Sequence, residues 1–114
     1  MIKGWFSCLL ALAISVVWAQ APGKSFDLAL ADGRVPSERS TLRVKKGEKV
    51  ELRWTSDRPI ALHLHGYDLE TKVAPQAPAS MTFTASIAGR FPITEHARGG
   101  AHHHRAVLYL EVHP

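Results

Sequence analysis

His63 and His65 stand two residues apart in the stretch Ile60-Ala61-Leu62-His63-Leu64-His65-Gly66-Tyr67-Asp68. Apolar Ile60, Leu62 and Leu64 alternate with Ala61, His63 and His65, the period-two pattern of a β-strand. That period puts both imidazoles on one face, with their Cα atoms about 6.5–7 Å apart. Two neutral nitrogen donors at this separation can converge on a single ion. The competing reading is a pair of half-buried histidines satisfied by backbone carbonyls, because imidazole is a side chain of intermediate burial preference. Further donors follow: His96 with Glu95 beside it, then His102, His103 and His104 in the tract Arg98-Gly99-Gly100-Ala101-His102-His103-His104-Arg105. A short His-rich tract is a generic metal binder. Its bland counterpart is a solvated basic loop.

The elements that must position these residues are strands. Ser25–Leu30 reads as a first strand, followed by a polar loop through Asp32-Gly33-Arg34 and Pro36. Thr41–Val44 and Val50–Trp54 alternate on either side of Lys45-Lys46-Gly47-Glu48, the pattern of a hairpin. Ser56-Asp57-Arg58-Pro59 is a turn that delivers the histidine strand. A Pro/Ala-rich loop, Val73–Pro78, precedes the alternating Met81-Thr82-Phe83-Thr84. Ala88-Gly89 then turns the chain into Arg90–Thr94, and Ala106–Val112 closes the domain. Trp54, Phe83, Phe91 and Ile93 are expected in the core, with Tyr67 there or at the rim of the site. Short strands separated by turn signals at 8–12-residue spacing predict an all-β sandwich or barrel. No repeat and no amphipathic helix of useful length interrupts them.

Residues 1–19 have the pattern of a secretory signal peptide. Lys3 is the positive flank, Leu9–Trp18 the short apolar core, and Val17-Trp18-Ala19 the small-residue cleavage pattern before Gln20. The apolar run is too short for a comfortable transmembrane span. The expected product is residues 20–114 as one domain, exported to the periplasm or secreted, with no membrane anchor once the leader is cut. The single cysteine, Cys8, would leave with the leader, so the domain is expected to fold without a disulfide. The net charge is +4. Arg43, Lys45, Lys46, Lys49 and Arg53 alternate with or flank apolar residues as the wet face of a sheet does. No basic stripe with interleaved aromatics points to a nucleic acid.

The order of these features resembles the cupredoxin-like superfamily of small Greek-key β-sandwiches, over about Leu42 to Val112. Val44-Lys45-Lys46-Gly47-Glu48-Lys49-Val50 is similar to the family's V-x-x-G-x-x-V. A histidine-bearing strand follows, then a proline loop before Met81-Thr82-Phe83-Thr84. Gly89-Arg90-Phe91 is similar to the G-x-Y/F before the family's second ligand cluster, and Val107–Val112 to its closing strand. The His-x-His-Gly-Tyr-Asp strand looks like that of a subgroup of exported bacterial members. The resemblance implies a Greek-key β-sandwich whose topology brings His96 beside His63 and His65.

The chain also departs from the family. A blue-copper centre needs a thiolate, then histidine, then usually methionine between the last two strands. Here that interval starts at Thr94-Glu95-His96 and holds no cysteine, and Met81 lies in the preceding strand. Blue-copper electron transfer is therefore excluded. What the resemblance leaves is a metal site of His63, His65 and His96, with Glu95, His102, His103 and His104 as additional donors. Three imidazoles with an open position suit Cu(II), or alternatively Zn(II). The expected function is storage, buffering or delivery of Cu(II), with the ion and a periplasmic protein as partners. Two alternatives stand beside it. One is a metal-free interaction module with structural or pH-responsive histidines. The other is a copper redox enzyme, since His-x-His also resembles the copper-ligand pair of Cu/Zn superoxide dismutase, although that family's disulfide cysteines are absent. A histidine-brace oxygenase is excluded, because the expected mature N-terminus is Gln20.

Overall fold

The structure, a computed structural model, describes Gly4 and residues 12–16, 23–96 and 105–114. Most of the predicted leader, residues 1–19, lies outside the described residues, as do His102, His103 and His104. Among the described residues there are eight strands: β1 (Gly23–Leu30), β2 (Thr41–Lys45), β3 (Lys49–Ser56), β4 (Ile60–Leu64), β5 (Leu69–Val73), β6 (Ala79–Thr84), β7 (Gly89–Glu95) and β8 (Ala106–His113). One 3₁₀ turn, Ser37–Arg39, precedes β2. Among the described residues no helix is long and apolar enough to cross a membrane.

The strands form two sheets, β1-β3-β6 and β2-β8-β7-β4-β5. Alternation explains why they stack. In β3, Val50, Leu52, Trp54 and Ser56 are buried while Lys49, Arg53 and Thr55 are exposed. In β4, Ile60, Leu62 and Leu64 point inward and Ala61 and His63 outward. The inner faces meet in a core that includes Leu28, Leu52, Trp54, Leu62, Ile93 and Leu110. Each such side chain adds about 1.5–3 kcal/mol when withdrawn from water. This is the Greek-key β-sandwich expected from the sequence. Trp54 and Ile93 are fully buried; Phe83 and Phe91 are half-buried and pack against the core.

One local expectation is corrected. β2 and β3 do not form a hairpin: β2 runs parallel to β8, and β3 pairs with β1 and β6 in the other sheet. Residues 45–48 turn the corner between the sheets. There Lys46 N–H donates to the His113 carbonyl at 2.7 Å, and Gly47 N–H to the Ala85 carbonyl at 2.8 Å. The physical reason is that Leu42 and Val44 reach the same core as Val50 and Leu52 from the opposite side. Alternation within each strand is the same for both arrangements. The stretch between the histidine strand and the proline loop, left unassigned in the sequence reading, is an edge strand, β5, which pairs antiparallel with β4.

Candidate metal centre

Strand pairing on the outer face of the five-stranded sheet collects the donors. His63 lies opposite Glu70 of β5 on one side and Thr94 of β7 on the other. Just beyond the end of β7, His96 N–H donates to the Ala61 carbonyl at 2.9 Å, continuing the ladder. His96, two residues past Thr94, therefore returns to the face that carries His63. β4 ends at Leu64, and His65 opens the turn to β5. Its N–H still donates to the Pro92 carbonyl at 3.1 Å, which keeps the alternation for one more residue.

The turn itself is tightly specified. Gly66 has φ of 83°, in the left-handed region, and a Cβ there would fall on the Phe91 ring. Tyr67 packs on Phe83 and edge-on against Phe91, with ring centroids 5.0 and 5.1 Å away. Its hydroxyl donates to the Ile87 carbonyl at 2.8 Å and accepts from Ile87 N–H at 3.1 Å. Tyr67 is thus the tie between the β4–β5 turn and the loop before β7, at the edge of the core.

His63, His65 and His96 are brought together. The His63 ring centroid is 4.2 Å from that of His65 and 5.3 Å from that of His96. One donor atom each from His63, Glu70 and His96 lies within 4.8 Å of the others. Ligands sharing one ion at 2.0–2.2 Å stand about 3–4 Å apart, so small side-chain rotations would close this set. His65 Nε2 is 2.8 Å from Thr94 Oγ1, a contact that orients its ring. Carboxylates surround the cluster: Asp68 Oδ1 is 3.4 Å from His63 Nε2, and Glu70 Oε1 is 3.4 Å from His96 Nε2.

Both nitrogens of His63 are buried and have no hydrogen-bond partner among the described residues; the Asp68 contact is at ion-pair distance but lacks hydrogen-bond geometry. Buried polar atoms are nearly always paired, so an imidazole with two unpaired nitrogens needs an explanation such as an ion or a water.

Glu95, expected beside the histidines, faces elsewhere. Its register partner is Leu62, an inward residue, so alternation turns it away from His63 and His96. Arg58 takes it instead, donating Nη1 to Oε1 at 2.8 Å and Nη2 to Oε2 at 3.1 Å. This pairing raises the Arg58 pKa further above its ordinary value. The carboxylate within reach is Glu70, which the sequence reading did not single out. Its signal was present: Leu69-Glu70-Thr71-Lys72-Val73 alternates after a Gly66–Asp68 turn, the pattern of a hairpin's second strand. His113 lies at the far end of β8, 3.4 Å from Glu111, and takes no part.

No family model matches the sequence, and no curated protein is significantly similar to it. Solved structures are similar in fold. A chain of a heme-copper terminal oxidase dimer matches with a TM-score of 0.63 and 17% identity, over 86% of this chain and 74% of that one. A copper-binding protein solved by NMR in the apo form matches at 0.58 and 15%, over 82% and 92%. A mutant of amicyanin in the oxidised state matches at 0.51 and 20%, over 77% and 81%. The fold is the cupredoxin-like β-sandwich.

Proposed function

We propose that the chain is an exported protein that binds a divalent ion, Cu(II) ahead of Zn(II), and stores, buffers or hands it on to a partner protein in the periplasm. The observation that carries this reading is His63, whose two buried nitrogens have no hydrogen-bond partner among the described residues, on a face shared with His96 and Glu70. Two imidazoles and a carboxylate, with His65 alongside, form a nitrogen–oxygen set suited to these ions rather than to Cu(I). The likeness in fold to a protein described as copper-binding supports the choice of metal. His102, His103 and His104, eight or fewer residues after His96 in sequence, are the natural additional donors. Nothing in the donor set supplies the thiolate of an electron carrier.

One observation favours a metal-free reading. Asp68 and Glu70 stand 3.4 Å from His63 and His96, as they would beside imidazolium cations. Titrating the full chain with Cu(II) by calorimetry, with EPR at one equivalent, separates the two. The metal reading expects a one-to-one site with nitrogen hyperfine structure that His63→Ala removes. Weak binding in several equivalents, untouched by His63→Ala, would leave the metal-free module.

A further inference from the structure

Beside the histidine cluster the outer face of β5, β4 and β7 is hollow. Two adjoining cavities of about 530 Å³ each share Ala61, Lys72 and His96. The cause is Ala61. It lies opposite Lys72 on β5 and accepts the N–H of His96 from the β7 side. A methyl group thus floors a gap walled by two long side chains. One cavity opens onto Glu70 and His96, two of the three clustered donors. The other runs over Pro59, Ala74 and Ala77, at the surface, which give it an apolar wall.

Charge tells what this hollow would accept. A divalent ion held by Glu70 and the neutral imidazoles of His63 and His96 alone keeps a net positive charge and an open coordination position, which the exogenous ligand fills in place of a further histidine. Lys72 adds an ammonium on the other side, and among the described residues it has no acidic partner. Arg58, at the far end, is already occupied by Glu95 and Asp32. The unmatched charge therefore sits at Lys72, next to the ion and next to apolar wall.

We infer that this hollow is a subsite for a small carboxylate with a short apolar tail, which fills the open position on the bound ion. Its carboxylate bridges the metal and Lys72, and its tail lies along Pro59, Ala74 and Ala77. The inference rests on the metal reading above, and it assigns the site a ternary protein–metal–carboxylate complex. The carboxylate could belong to a simple acid or to an α-amino acid, whose amine would also chelate.

The test uses the full chain loaded with one equivalent of Cu(II), titrated with butyrate and separately with L-valine. The visible d–d band and the EPR spectrum are followed. Saturable shifts are expected, with Lys72→Gln weakening carboxylate binding about tenfold while Cu(II) affinity itself changes less than about twofold. Ala61→Leu, which fills the floor, should abolish the shift and leave the copper bound. Equal responses to both probes identify the carboxylate alone as the recognised group; a much tighter response to L-valine identifies amino-acid chelation. Copper that binds but ignores both probes, or responds equally in Lys72→Gln, overturns the subsite and leaves the metal reading standing. Absence of Cu(II) binding overturns both.

Discussion

His63 of β4 and Glu70 of β5 occupy directly opposed positions across an antiparallel pair, with His96 on the same face from the β7 side. A neutral donor and an anionic one are thereby fixed by backbone register rather than by a loop. Replacing Glu70 by Gln keeps the shape and removes the charge. Glu70→Gln is expected to weaken Cu(II) binding about tenfold, and His63→Ala or His96→Ala by at least that much. Glu95→Gln should leave affinity unchanged, because that carboxylate is held by Arg58. Competition titration against a chelator ranks the four; a large loss in Glu95→Gln would contradict the assignment.

Thr94 is buried and its hydroxyl orients His65. Thr94→Val conserves volume and leaves that ring nitrogen without its hydroxyl contact. The variant is expected to remain folded and to alter the Cu(II) EPR spectrum, with affinity down about tenfold. An unaltered spectrum would mean that His65 is remote from the ion.

The β4–β5 turn depends on Gly66. With φ of 83° and the Phe91 ring where a Cβ would sit, Gly66→Ala is expected to lower stability by about 1–3 kcal/mol. Urea unfolding measures this. The same variant should bind copper poorly, because the turn sets the spacing of His65 and Glu70.

Tyr67→Phe keeps the ring contacts with Phe83 and Phe91 and removes both hydrogen bonds to Ile87. A loss of about 1 kcal/mol is expected. Amide exchange at Ile87 should accelerate first; an unchanged rate there would show the loop to be held by other contacts.

Arg53 donates two hydrogen bonds to Asp27, from Nε at 2.6 Å and Nη2 at 3.2 Å, and these hold the Asp27 carboxyl below its ordinary value of 3.8. A carboxylate whose pKa is lower in the folded than in the unfolded chain adds stability above the unfolded value. That stability is lost as pH falls through the folded one. Both side chains are exposed, so the effect is small and screened by salt. Asp27→Asn should lower the urea midpoint at neutral pH and low salt. The difference should close below pH 3.8 and in about 1 M salt. A gap that persists in acid would place its origin in packing.

Alternation made part of this legible: Trp54 and Ile93 were expected in the core and are buried, and His63 and His65 were expected on one face and are neighbours. The place of His96 beside them followed from the family resemblance, not from alternation. Two things were not legible. Residues 45–48 can close a hairpin or turn a corner between sheets, because the side-chain period of the flanking strands is identical in both cases; only the pairing of Thr41–Lys45 with β8 distinguishes them. Glu95 was named because it adjoins His96 in sequence, and Glu70 was passed over. In a strand, however, adjacent residues face opposite sides, and the residue across the ladder is the nearer neighbour.

β5 is the outermost strand of its sheet, and it carries one donor while β4 and the end of β7 carry the others. An ion shared among them is a clasp fastened across three chain segments. Slipping β5 by one residue would rotate Glu70 to the inner face, so only one register can close the clasp. Occupancy would then report strand alignment, and the emptied protein would fray from its Leu69–Val73 margin first.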